Sequence, residues 1–159
     1  MDFVSARPAT SADVPALARL YRALEEEMTA LSALWPLADG VADPVEESMF
    51  DLIGQDNTVG VVGEIDGVPV GFLFARIEPM LPRANGKTIG AIRLVFVDHE
   101  AREVGVGEAM LEAALEALRS RGVSVFDAHV LPGHRLVKNF FESGGFKARS
   151  IVMSRTEDA

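Results

Sequence analysis

The chain of 159 residues contains no cysteine. That absence excludes a disulfide framework, a thiolate metal site and a cysteine nucleophile, and it suits a reducing cytoplasm. Basic residues are the next shortage: 15 Lys and Arg stand against 24 Asp and Glu, a net charge of -9. Without a basic footprint, nucleic acid is not an expected partner, whereas a cationic substrate is compatible. No long apolar run exists. The longest, residues 68–75, is far too short to span a bilayer, so no membrane partner is expected. The first residues, Met-Asp-Phe-Val-Ser-Ala-Arg, hold an early acid and no apolar core, so they do not read as a signal peptide. There is one tryptophan, one tyrosine and three histidines. Acid–base chemistry near neutral pH therefore has few candidates. No metal-ligand spacing is present.

What remains is an ordinary globular composition, 48% hydrophobic and 25% charged, at a length that suits a single domain over 1–159. Residues 3–7 read as a strand ended by Pro8. Thr10 or Ser11 caps a helix whose apolar face is Val14, Leu17, Tyr21, Leu24, Met28 and Leu31. The acidic run Glu25, Glu26, Glu27 reads as a solvated face of that helix. Residues 32–43 read as a loop. Asp43, Pro44 and Glu46 announce a short helix, with Asp43 as its cap and Val45, Met49, Leu52 and Ile53 inward. Asp66-Gly67 between two strand-like runs, 58–65 and 68–77, predicts a hairpin. Residues 78–88 form a loop and 89–97 a strand. After a glycine-bearing loop comes a helix over 108–121, with Met110, Leu111, Leu115 and Leu118 inward. A strand over 123–130, a short helix over 134–143 and a last strand over 146–155 complete the chain.

The chemistry concentrates between 102 and 108. A strand, a loop with Gly105 and Gly107, and a helix N-terminus form an arrangement that binds phosphate. The first N–H groups of a helix lack internal partners and sit at its positive end, and glycine lets an anion approach the backbone. Arg102 adds a cation at the mouth of the loop. A Walker loop is absent. A dinucleotide fingerprint fails because Met110 stands where its third glycine belongs.

The spacing Arg102-Glu103-Val104-Gly105-Val106-Gly107 resembles the pyrophosphate loop of the GCN5-related N-acetyltransferases, the GNAT superfamily. Phe140-Phe141-Glu142-Ser143-Gly144-Gly145-Phe146 resembles a second family motif, at the end of its last helix. The resemblance covers essentially the whole chain. It implies an α/β (α+β) GNAT fold: a mixed, mostly antiparallel sheet flanked by about four helices, with a splayed strand–helix–strand unit for the cofactor. It implies acetyl-CoA as acyl donor, no metal, and N-acyl transfer to an amine by direct attack in a ternary complex. The backbone of Val95, Phe96 and Val97 would bind the acyl-pantetheine. Arg102, Glu103, Val104, Gly105, Val106, Gly107 and Glu108 would bind the pyrophosphate. Glu103 replaces a family glycine and Val104 a family Arg or Lys. Phe141 stands where the family often has the tyrosine that protonates the leaving thiolate. His134 stands where the family tends to have Asn, with Asn139 nearby.

A base is needed to deliver a neutral amine. His129 occupies the position where relatives acting on ribosomal protein N-termini carry Glu. It reads either as that base or as a sheet histidine bonded to Asp127 or a neighbour. His99 reads as solvent-facing. A histone-type glutamate base is not available, since Ala91 holds that position. The expected partners are an amine, a cationic one included, and a second copy of the chain as a homodimer. The expected compartment is cytoplasmic. Loops 31–43 and 78–88 are expected to set the substrate, with Asp39, Asp43 and Glu78 either attracting a cation or merely solvated. A GNAT-fold acyl-CoA-binding module with little turnover is the alternative that Phe141 and the altered loop suggest.

Overall fold

The computed structural model describes residues 3–157. The chain divides into two compact units after His129. The first holds a five-stranded sheet in the order β1-β2-β3-β4-β5. Its strands are β1 (Val4–Pro8), β2 (Thr58–Ile65), β3 (Val68–Pro79), β4 (Thr88–Val97) and β5 (Val125–Ala128). The first three pairings are antiparallel and β4 with β5 is parallel. The mixed, mostly antiparallel sheet that the resemblance implies is thus present. The expected hairpin is formed: Asp66 and Gly67 both take positive φ, 51° and 79°, as a two-residue turn of the mirror type requires.

Among the described residues, four helices belong to this unit: α1 (Val14–Leu31), α2 (Trp35–Ala38), α3 (Val45–Ile53) and α4 (Val106–Ser120). Helix α1 is entered through a 3-10 turn, Ser11–Asp13, with Thr10 and Asp13 as a capping box. Leu17, Tyr21, Leu24 and Met28 are buried as their spacing predicts, and Leu31, at the end of the stripe, is exposed. Helix α4 lies against β1, β2 and β3 and buries Met110, Leu111, Leu115 and Leu118. It sits close to the sheet. A Cβ built on Gly63 would lie 2.6 Å from Val106 Cγ1, and one on Gly90 would lie 2.8 Å from Leu118 Cδ1.

Several boundaries differ from the sequence reading. The loop 32–43 contains α2, which buries Trp35 against Tyr21, ring centroids 6.2 Å apart. Pro44 and not Asp43 is the N-cap residue of α3, and no side chain caps that end. Helix α4 begins two residues earlier than expected, because Gly105 takes the cap position. Strand β5 is shorter than 123–130, since β4 offers it partners only from Ile89 to Ile92.

The second unit holds α5 (Arg135–Ser143), of which only Phe141 is buried. The strand expected over 146–155 is not formed. Residues 146–157 carry no regular structure, and Ile151, Val152 and Met153 are exposed. β-propensity is satisfied only through a hydrogen-bonded neighbour. Among the described residues, this unit contains no strand to serve as one.

Candidate functional site

The site begins with a strand whose last residues are paired on one side only. β4 pairs with β3 along its length, with a register shift between Phe74 and Ala75 that leaves Arg93 as the extra residue. On the other side, pairing with β5 ends at Ile92 and Ala128, plus one bond from the His129 N–H to the Ile92 carbonyl at 3.0 Å. Beyond this point, residues 93–97 have no strand partner on that side among the described residues. The pairing thus stops short of the end of β4, at the place where the resemblance implies a splay. Val95 and Val97 are half-buried. Phe96 is packed against Phe72 with 3% exposure, so its side chain belongs to the core and only its backbone is available to a ligand.

The loop that follows is turned by positive φ at Glu103 (67°) and Gly105 (96°). For Gly105 this conformation carries little cost. For Glu103 it costs on the order of 1 kcal/mol, which accounts for glycine in the family pattern at that place. The first backbone hydrogen bond of α4 runs from the Ala109 N–H to the Gly105 carbonyl, 3.0 Å. Among the described residues, the N–H groups of Glu103, Val104, Gly105, Val106, Gly107 and Glu108 reach no protein acceptor. A Cβ on Gly105 would meet nothing within 4 Å. Six consecutive donors beside open space, at the positive end of a 15-residue helix, fit an anion as large as pyrophosphate. Val106 contributes its N–H only, since its side chain is buried under the helix. Glu108 is exposed in the first turn.

Arg102 points elsewhere than the mouth of the loop. Its Nε donates to the Val97 carbonyl at 2.9 Å and its Nη2 to Glu27 Oε1 at 3.0 Å. Its guanidinium lies over the Phe96 ring, 5.5 Å from the centroid. Glu27 was not legible as a site residue, although it neighbours Met28 and follows Leu24 by three, at the border of the apolar stripe. His99 is mostly exposed, as expected, but its Nε2 lies 3.4 Å from the same Glu27 oxygen.

His129 lies just after β5 with its surface accessible to solvent. Partial burial by the surrounding protein and the Arg93 charge push its pKa below the usual value. Asp127, Glu78 and Asp39 pull in the opposite direction, which puts carboxylates from β5, β3 and the loop after α2 within electrostatic reach of one imidazole. Glu78 is itself paired with Arg93 at 2.8 Å. Tyr21 does not supply an acid. It is fully buried, its Oη accepts the Val41 N–H at 2.8 Å, and burial pushes its pKa up to about 12.

The other two predicted residues belong to the second unit. His134 is the N-cap residue of α5. The Phe141 ring meets Phe140 and Phe146 edge-on, with centroids 5.1 Å and 5.2 Å apart.

Comparison with known proteins bears on this geometry. Residues 17–146 match the family described as Acetyltransferase (GNAT) family. A mycothiol acetyltransferase of Thermobispora bispora is 34% identical over 122 residues, 76% of this chain and 39% of the relative. An uncharacterized N-acetyltransferase of Methanocaldococcus jannaschii is 26% identical over 64% of this chain and 44% of its own. The chain thus spans less than half the length of either curated relative. Among solved structures, AAC(6')-Iy in complex with a bisubstrate analog, CoA-S-monomethyl-acetylneamine, aligns with a TM-score of 0.76 at 16% identity, covering 99% of this chain and 100% of the other. A ribosomal-protein-alanine N-acetyltransferase from Brucella melitensis biovar Abortus aligns with a TM-score of 0.70 at 15% identity, covering 98% and 99%. Identities this low speak for the fold alone.

Proposed function

Because the chain belongs to the acetyltransferase (GNAT) family, we propose that it transfers acetyl from acetyl-CoA to an amine by direct attack within a ternary complex. The observation that carries this reading is the run of six unpartnered backbone N–H groups from Glu103 to Glu108, next to a β4 edge free on one side. The run suits the pyrophosphate. The free edge at Val95 to Val97 suits the amide groups of a pantetheine arm, which add to a strand as a further strand does. Acetyl-CoA supplies an activated carbonyl and a thiolate of low basicity as leaving group. The protein must supply a donor to the carbonyl oxygen as charge develops there, and an acceptor for the amine proton.

His129 is the proposed acceptor, directly or through a water. Its lowered pKa keeps the imidazole neutral near pH 7, the state a base requires. Phe141 has no proton to give, so the thiolate departs without a protein acid at that position. The amine itself is proposed from chemistry alone: a primary amine, with a cationic one suited by Asp39, Glu78 and Asp127 around His129.

Two observations favour a second reading, an acyl-CoA-binding module with little turnover. The loop carries a carboxylate at Glu103 where the phosphate would lie, and Phe141 lacks the hydroxyl. Thiol release from acetyl-CoA with a panel of amines separates the two, since a binding module gives affinity without release. Gly105→Val tests the loop. A β-branched residue at φ 96° is strained and fills the space before the donors, so acetyl-CoA binding measured by calorimetry should be lost. Unchanged affinity in a folded Gly105→Val protein would remove the basis of the reading.

A further inference from the structure

The acidic run on α1 is not uniform. Glu26 is exposed, whereas the Glu27 side chain is 18% exposed and turned toward the junction of β4 and the loop. One oxygen of its carboxylate receives Arg102 Nη2 at 3.0 Å and lies 3.4 Å from His99 Nε2. His99 belongs to the 3-10 turn His99–Ala101, and Arg102 follows it directly. Glu27 therefore holds the short connection between β4 and α4 at Arg102 and lies beside it at His99. Arg102 in turn spans from Glu27 to the Val97 carbonyl, with the buried Phe96 ring beneath it. Its charge is met inside the protein, and its geometry is fixed by two hydrogen bonds at once.

The loop beyond Arg102 needs such an anchor. It enters the left-handed region at Glu103 and again at Gly105, and it leaves six N–H groups without acceptors. Backbone in that condition keeps one shape only when its surroundings over-determine it. The anchored entry on one side and the buried Val106 on the other are the supports that the structure provides.

We propose that Glu27 is a positioning residue for the donor loop: through Arg102 it fixes the entry of the loop and so preorganises residues 103–108 for acetyl-CoA. The inference rests on the donor reading above and deepens it. In it, Arg102 serves the phosphate site from behind, as a brace between α1 and the loop, and not as a phosphate ligand. Binding of the donor is thereby linked to the position of α1, the helix that leads into the 31–43 loop.

The test is a double-mutant cycle read by calorimetry with acetyl-CoA, with melting temperature recorded on the same preparations. Glu27→Ala and Arg102→Ala should each weaken acetyl-CoA binding by about tenfold, and the double variant should lose little more than either single one. Glu27→Gln keeps an acceptor of equal size and should fall between parent and Glu27→Ala. Glu26→Ala should bind as the parent does. Affinities in folded Glu27→Ala and Glu27→Gln within twofold of the parent would overturn the proposal, even if melting temperatures fall, since a merely structural contact behaves in that way. Additive losses would overturn it too, because they would make Arg102 an independent phosphate ligand. A parent protein that binds no acetyl-CoA would overturn the donor reading and this proposal with it. A parent that binds, with variants that bind equally, overturns this proposal alone.

Discussion

Val106 Cγ1 occupies the space that a Cβ on Gly63 would need; the two positions would be 2.6 Å apart. Met110 closes the same space, with its Cγ and Sδ each at 2.8 Å. The first turn of α4 is thereby seated on β2 at a distance that only glycine permits. Gly63→Ala should lower stability by about 1–3 kcal/mol through overpacking. It should also weaken acetyl-CoA binding, because the helix end that carries the donors is the part displaced. Thermal melts and calorimetry on one preparation check both. A melt unchanged within error would show that Met110 and Val106 yield freely.

Glu103→Gly should act on stability and on affinity together. Relief of φ 67° should stabilise the protein by about 1 kcal/mol, and loss of the carboxylate should strengthen acetyl-CoA binding severalfold, about two- to fivefold at low salt. The affinity gain should shrink at high ionic strength while the stability gain stays. A gain insensitive to salt would assign the whole effect to the backbone.

His129→Gln tests the base. The His129 pKa is lowered, so the rate at saturating acetyl-CoA should rise with pH through a midpoint below 6.5, and His129→Gln should lose that limb together with about two orders of magnitude in rate at pH 7. The sign for stability follows from the same shift. The unfolded chain protonates first as pH falls through 6.5, so the contribution of His129 is complete above that value and declines below it. With the ring solvent-accessible, that decline should be small. A full pH–rate limb surviving in His129→Gln would assign it to the amine.

Arg7 grips Asp13 through two hydrogen bonds, 2.9 Å and 2.7 Å, and the guanidinium holds the buried carboxyl below its usual range against the opposing effect of desolvation. A depressed carboxylate stabilises the fold above its unfolded pKa, near 3.8, and loses that contribution as pH falls through the folded value. Asp13→Asn should cost about 1–3 kcal/mol at pH 7 and flatten the acid limb of unfolding. Denaturation midpoints from pH 2 to 7 measure it. An unaltered acid limb would mean that other carboxylates govern it.

Phe141→Tyr should be folded and at least as active as the parent, with a gain of up to about a hundredfold if the hydroxyl serves the leaving group. Thiol release under saturating amine is the measurement. A folded variant without turnover would show that the site departs from the family arrangement.

The strand, glycine loop and helix around 105 were legible because each carries a local signal: β-rich residues, glycine at positive φ, and an apolar period of 3.6. The hairpin at Asp66-Gly67 was legible for the same reason. Tertiary partners were not. The place of Arg102 depends on Glu27, which nothing near Arg102 announces. Asp43 looked like a cap, but the cap position falls on Pro44. Residues 146–155 have the composition of a strand, yet a strand exists only beside another. For His129 both readings offered by its position survive, since its neighbours include the carboxylates that would orient it.

The contact between Glu27 and Arg102 joins residues 75 apart in the chain. Neighbouring strands of the sheet, by contrast, follow one another in sequence, so each can add to the last as it leaves the ribosome. The brace cannot close on that schedule. It must wait until β4 and the start of the next connection have emerged and α1 has docked. During synthesis the four antiparallel strands therefore precede the brace, whereas β5 emerges after it, so the anion loop takes its final shape between the antiparallel part of the sheet and the parallel strand that completes it.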